Sequence, residues 1–283
     1  MDGHRAVTVL LLLAGGGFGA GIFGSLLGLG GGVLIVPLLT FGFGLPFREA
    51  VGVSLVCVIV TSSAAAGVYL ERHLANLRLG MLLEVFTASG ALIGGLIAFL
   101  LPDRVLAGLF ALLLVYTGVT MLRRRAAATG DPGPSTEAGD DSAGTASAPG
   151  PFRAALAGPG YRPVRLGAGI GGSVFAGVVS ALLGVGGGIV KVPLMHLVMR
   201  VPLKVATATS NLMIGVTASA SAIVYLMRGG IEPLVAGPTA VGVFAGAMVG
   251  SRVAQRIDVR LLRLLFVVVL GLTAVQMTLR ALG

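Results

Sequence analysis

At 283 residues the chain is long enough for a sizeable fold, yet 55% of it is hydrophobic, only 11% is charged, and its mean hydropathy is +0.99. Soluble domains carry about 25% charged residues, so this composition excludes an ordinary soluble protein and points to an all-α polytopic membrane protein. The net charge of +9 does not signal nucleic acid, because Lys and Arg stand at the ends of apolar segments instead of forming a soluble basic face.

Hydropathy predicts eight apolar segments, roughly 7–42, 51–70, 81–101, 105–122, 166–199, 205–227, 234–251 and 261–279, each enough for a hydrocarbon core of about 30 Å. The first opens like a signal peptide, with a charged start and an apolar stretch. A similar segment recurs in mid-chain, which argues against cleavage. It also contains "SLLGLGGGVLIVPLL", Ser25 to Leu39. About 35 residues at 1.5 Å each would span about 52 Å, too long for one straight crossing, so a break is expected at the glycines. The second segment carries Ser54, Thr61, Ser62 and Ser63 as hydroxyl donors, and Cys57, the single cysteine. One thiol in an apolar run reads as a small buried hydrophobe and has no partner for an intramolecular disulfide. The third segment holds Glu84, either a proton-coupling carboxylate or a surface group near Arg78.

From Arg123 the chain turns to Ala, Gly, Pro, Ser and charge, a composition that cannot bury enough apolar surface to fold. Residues 123–165 therefore read as a flexible linker between membrane repeat 1 (1–122) and membrane repeat 2 (166–283). The fifth segment brings "ALLGVGGGIVKVPLM", Ala181 to Met195, and the sixth carries Thr207, Thr209, Ser210, Asn211 and Ser219. Some of these hydroxyls are expected to bond back to their own helix carbonyls; Asn211 is harder to satisfy that way.

The two halves are one pattern written twice. A constant offset of 156 residues (193 less 37) pairs Gly28, Gly30, Gly31 and Gly32 with Gly184, Gly186, Gly187 and Gly188, Pro37 with Pro193, Ser54 with Ser210, Tyr69 with Tyr225 and Gly94 with Gly250. The predicted fold is thus two tandem repeats of four hydrophobic segments, with a Gly-rich broken helix in the first segment of each, a plan common in secondary transporters.

In lipid, unwound backbone is tolerated only inside protein or beside a water-filled cavity, so the two breaks mark sites. A new half-helix near Val33 would present free N–H groups at its positive end, and glycine lets a ligand approach that backbone closely. Pro37 and Pro193 are structural, falling in the first turns of each half-helix where a missing N–H costs little. The alternative is that the glycines serve close helix packing. A phosphate-binding loop is excluded because no Gly-Lys-Ser/Thr follows the glycines.

The paired "LLGLGGGVLIVPLL" and "LLGVGGGIVKVPLM" motifs, each followed by a small-residue "GVSL" or "ATSN" stretch, resemble the sulfite exporter TauE/SafE family of membrane permeases, across nearly the whole chain apart from the linker. That resemblance implies a multi-pass protein of the cytoplasmic membrane moving sulfite, organosulfonates or related sulfur-containing anions. A permease for a carboxylate or a metal ion, or a membrane protein with no transport role, stays open as the alternative. The expected substrate-binding residues are Gly30, Gly31, Gly32, Gly186, Gly187, Gly188, Lys191, Ser54, Ser210, Asn211 and Thr207. Lys191 stands where the first repeat has Ile35; an ionisable group there either supplies fixed positive charge for an anion or snorkels and pairs elsewhere. His196 is a proton carrier or an interfacial residue. No catalytic set, no metal cluster and no cofactor motif can be assembled. The expected partners are a small anion and the lipid bilayer, with homo-oligomerisation left open.

If each glycine segment is re-entrant, returning to the side it entered, the repeats are inverted. With the linker inside, the inner face then gains Arg200, Lys204, Arg252, Arg256, Arg260 and Arg263 in exchange for Arg5, Arg228 and Arg280. The positive-inside tendency therefore favours inverted over parallel repeats.

Overall fold

In a computed structural model of the chain, the described residues are 3–27, 31–71, 75–127, 161, 163–253, 268 and 270–278. The regular elements among them are helical, as expected where lipid leaves the backbone no partners but its own. In chain order they are α1 (Gly3–Leu27), α2 (Gly32–Pro37), α3 (Phe47–Glu71), α4 (Leu77–Leu100), α5 (Asp103–Ala127), α6 (Leu166–Leu183), α7 (Gly188–Pro193), α8 (Leu203–Met227) and α9 (Pro233–Val253). Residues 270–278 are also helical. Seven stretches of the described residues are long and apolar enough to cross a membrane; α2 and α7 belong to shorter apolar helices, Gly32–Gly42 and Gly188–Val198. Helix α5 runs on to Ala127, past the expected start of the linker. The rest of the linker to residue 160, and about half of the eighth expected segment, lie outside the described residues.

Both long segments break at the glycines. Gly31 caps α2 and Gly187 caps α7, each at φ 75, and Gly184 and Gly186 take φ 68 and 76. This left-handed region costs an L-residue about 1–2 kcal/mol, which is why the turn is written in glycine. The prolines stand later in the half-helix than the turn where a missing N–H costs little. Pro37 and Pro193 are the last residues of α2 and α7, and each is followed by one wide π-type turn, Leu38–Gly42 and Leu194–Val198. A proline beyond the first turn removes a helical N–H and crowds the carbonyl four residues back; the helix widens locally to accommodate it.

After each break the chain returns alongside the helix it came from. A methyl built on Gly31 would lie 3.8 Å from the Ala20 carbonyl, and one on Gly16 3.0 Å from Leu38. In the same way Gly187 lies by Ala176, Gly172 by Leu194 and Gly169 by Met199. Each pair thus forms a helical hairpin.

Glycine contacts also set the direction of the long helices. Gly17 faces Thr239 and Gly21 faces Val243, so α1 and α9 run parallel; Gly90 faces Val174 and Gly94 faces Val178, so α4 and α6 do the same. Here small residues bring two backbones together, as is common between membrane helices. Helices α3 and α8 are antiparallel, with Gly52 against Gly230 and Gly215 against Ser62. These two make the centre of the molecule. Val51, Val53, Leu55, Cys57 and Val58 of α3 and Ile214, Ala218 and Tyr225 of α8 are buried in one apolar cluster, which also takes in Ile35 and Val36 of α2. At one end, Arg48 donates to the Leu101 carbonyl at 2.8 Å and pairs with Asp103 at 3.2 Å, while Phe47 packs edge-on to Phe110 at 5.6 Å. This ties the start of α3 to the α4–α5 turn.

Candidate functional site

The two breaks meet between α3 and α8. A methyl on Gly32 would lie 2.5 Å from the Gly184 carbonyl oxygen, 2.9 Å from Val58 and 3.1 Å from the Ser54 hydroxyl. Ser54 joins the loops directly: its hydroxyl lies 2.8 Å from the Gly184 carbonyl and 3.3 Å from the Gly32 carbonyl, at 0% exposure. Gly186 lies between Val58 and Ile214, and Gly188 sits against Ile214 with the Ser210 hydroxyl close by. The carbonyls of the capping glycines are spoken for: Gly31 accepts from Leu34 and Ile35, and Gly187 from Val190 and Lys191. The first N–H groups of a helix have no intrahelical partner, which leaves those of Gly32 and Gly188, at the starts of α2 and α7, without one.

Two hydroxyls beside the second loop, Ser180 and Ser210, are fully buried and make no hydrogen bond among the described residues. The Ser180 Cβ would be 3.3 Å from a methyl on Gly187, and Lys191 Cε 3.5 Å from the same point. Buried hydroxyls are ordinarily paired, and these two flank one helix start with no partner among the described residues.

Lys191 is 1% exposed and does not snorkel. Its ammonium donates to Glu84 Oε2 at 3.0 Å and to Thr217 Oγ1 at 2.5 Å, and the Thr217 hydroxyl lies 2.6 Å from Glu84 Oε1. Glu84 is accordingly buried within the protein on α4 and not a surface group beside Arg78. The three residues come from α7, α4 and α8, so the pair fastens the second hairpin to two long helices.

Of the residues singled out in the sequence, Gly31, Gly32, Gly186, Gly187, Gly188, Ser54 and Ser210 converge on the junction, and Lys191 lies beside it. Gly30 lies outside the described residues. Asn211 is buried and Thr207 half-buried on α8; neither makes a hydrogen bond to a loop among the described residues. His196 Nδ1 lies 3.0 Å from the Val201 carbonyl, and Cys57 is a buried free thiol. Sequence reasoning missed Ser180 and Thr217. Thr217 was within reach, because Ser210, Ile214 and Thr217 share one α8 face at helical spacing. A separate cavity of about 410 Å³, lined by Gly16, Phe23, Leu34, Pro37, Phe41 and Gln276 among others, has mostly apolar walls.

Comparison with known proteins places the chain among membrane transporters. The chain is 25% identical over 265 residues to the probable membrane transporter protein YunE of Bacillus subtilis, covering 91% of this chain and 93% of that one. It is 27% identical over 295 residues to the probable membrane transporter protein MJ0441 of Methanocaldococcus jannaschii, covering 96% and 97%. The probable membrane transporter protein MamO of Magnetospirillum gryphiswaldense is 27% identical over 292 residues, which make up 43% of that longer chain. No solved structure matches. The model of the family described as sulfite exporter TauE/SafE matches residues 13–277, and this multi-pass chain belongs to that family of membrane transporters.

Proposed function

We propose that the protein is a secondary transporter of the cytoplasmic membrane that carries a small sulfur-containing anion, sulfite or an organosulfonate, through the junction of the two glycine breaks. The observation that carries this reading is the junction itself. Gly32, Gly184 and Ser54 bring two helix breaks together in the core, and the orphan hydroxyls of Ser180 and Ser210 stand beside the second of them. Backbone donors and neutral hydroxyls suit an anion with several acceptor oxygens. The family description supplies the sulfur oxyanion.

The two halves work as inverted repeats. Supporting this, α2 and α7 start 156 residues apart (188 less 32), as do α3 and α8 (203 less 47), and the equivalent pair α3 and α8 runs antiparallel. In each half the hairpin returns to the side it entered, three long helices follow, and the N-terminus and linker face opposite sides. Exchange of conformation between such halves gives alternating access about a fixed central site.

The test is flux into proteoliposomes across sulfite, ethanesulfonate, thiosulfate, acetate and divalent metal ions. Sulfite or the sulfonate should be moved fastest, and Gly187→Val should stop it. Preferential movement of acetate or of a metal ion would replace the substrate class, and flux insensitive to Gly187→Val would remove the junction from the pathway.

A further inference from the structure

We propose that Glu84, Lys191 and Thr217 form a proton-coupling site, in which one monoanion displaces the Glu84 carboxylate from Lys191 while Glu84 takes up one proton. This rests on the anion reading above and adds its coupling. The empty site is neutral, with one ammonium and one carboxylate in contact at 3.0 Å and nearly closed to solvent. A second anion entering beside Lys191 would leave an uncompensated negative charge in a medium that does not tolerate one. Charge is conserved at zero if the Glu84 oxygen that accepted from Lys191 binds a proton from the aqueous side. The ammonium then donates to the anion, and Thr217, already bonded to Glu84 Oε1 and Lys191, stays as a neutral partner to both. Release of anion and proton restores the pair. Proton and anion therefore move together in one direction, set by their combined gradients.

The position of the pair fits this role. Lys191 Cε and Ser180 both lie within contact of the point above Gly187, and Ser210 lies beside Gly188. The lysine thus borders the loop where two buried hydroxyls have no partner. Among the described residues no other ionisable group competes at this point. Helix α6 has none, α8 has Lys204 and Tyr225 near its two ends, α4 has Arg78 at its exposed start, and His196 lies beyond the proline on the wide turn. The only charged group acting on Glu84 among the described residues is Lys191, and the reverse also holds. The counterparts of Lys191, Thr217 and Glu84 in the opposite half, 156 residues away, are Ile35, Thr61 and Ala240, so the duplication does not repeat the pair and the expected ratio is one proton per monoanion.

The probe is ethanesulfonate, whose acid is too strong to cross the bilayer in protonated form. In proteoliposomes with a lumenal pH dye, an inward ethanesulfonate gradient should acidify the lumen by one proton per anion, and an imposed membrane potential should leave the flux unaltered. Glu84→Gln should carry ethanesulfonate with acidification lost and flux now sensitive to potential. The pair variant Lys191→Met with Glu84→Gln keeps the site neutral and should fold, with the Cys57 thiol still protected, but move no sulfonate. Acidification that persists in Glu84→Gln, or wild-type flux of ethanesulfonate without acidification, overturns the coupling and leaves the anion site standing. Failure of the wild type to move sulfonate or sulfite overturns both.

Discussion

Lys191→Met tests the buried pair through stability alone, without reference to transport. The substitution keeps the length and apolar volume of the side chain and leaves the Glu84 carboxylate with one hydroxyl partner, Thr217. At 3.0 Å and an effective dielectric of about 20, the lost attraction is roughly 5–6 kcal/mol. Removing one member of a buried pair typically costs about 3–5 kcal/mol, which for a chain of this size corresponds to a fall in melting temperature on the order of 10 °C. Replacing both members, Lys191→Met with Glu84→Gln, takes away the orphan charge and should recover most of the loss. The chain carries its own reporter: Cys57 is the single cysteine, 0% exposed, so a thiol-reactive dye in detergent becomes fluorescent as the core opens. A single variant melting within about 2 °C of the parent would show that the pair carries no stabilising charge interaction. A paired variant as unstable as the single one would assign the loss to side-chain shape.

Gly187→Val places a β-branched residue at φ 75 with its Cβ 3.2 Å from the Ala176 carbonyl; membrane insertion should survive and anion flux should fall below detection, as read by a tagged-protein blot beside the flux assay. Ser54→Ala removes the donor shared by the Gly184 and Gly32 carbonyls, which should cost about 1–3 kcal/mol in the Cys57 melt and slow transport, whereas Ser63→Ala, whose hydroxyl is exposed and bonds only back to Ile59, should do neither. Tags at the N-terminus and near Ser142 should be reached by impermeant reagents from opposite sides of the membrane, and labelling from one side would rule out the hairpin topology.

The positions of the breaks were legible because a long apolar segment has no room to stay straight and a Gly-Gly-Gly run five residues before a proline recurs at the same offset in both halves; three glycines alone do not decide it, since Gly15, Gly16 and Gly17 stay helical within α1. Val33 was the expected start of the half-helix and Gly32 is the observed one. The prolines were misread for a local reason. They were expected within the first turns, where a missing N–H costs little, but Pro37 stands six residues beyond the capping Gly31 (37 less 31), past the orphan N–H groups, and a wide turn follows it. The partner of Lys191 was not legible. Glu84 lies 107 residues away, and nothing in a single sequence links the two except that each is an isolated charge in an apolar run. The pairing of α1 with α9 and of α4 with α6 was equally hidden, because periodicity shows which face is small and not which helix will meet it.

That exchange of helices has a consequence for how the protein is made. Gly17 and Thr239, which touch, are 222 residues apart (239 less 17). At roughly 5–20 residues per second, α1 waits in the bilayer for about 10–45 s before α9 emerges from the ribosome. Through that interval its glycine face, made to lie backbone to backbone against another helix, meets only lipid or whatever holds nascent segments. Residues 1–122 synthesised alone would keep α1 in that state indefinitely, while α4 would lack α6. The two halves are therefore successive in the message but simultaneous in assembly, and a stall within the linker would expose the cell to an unfinished membrane surface.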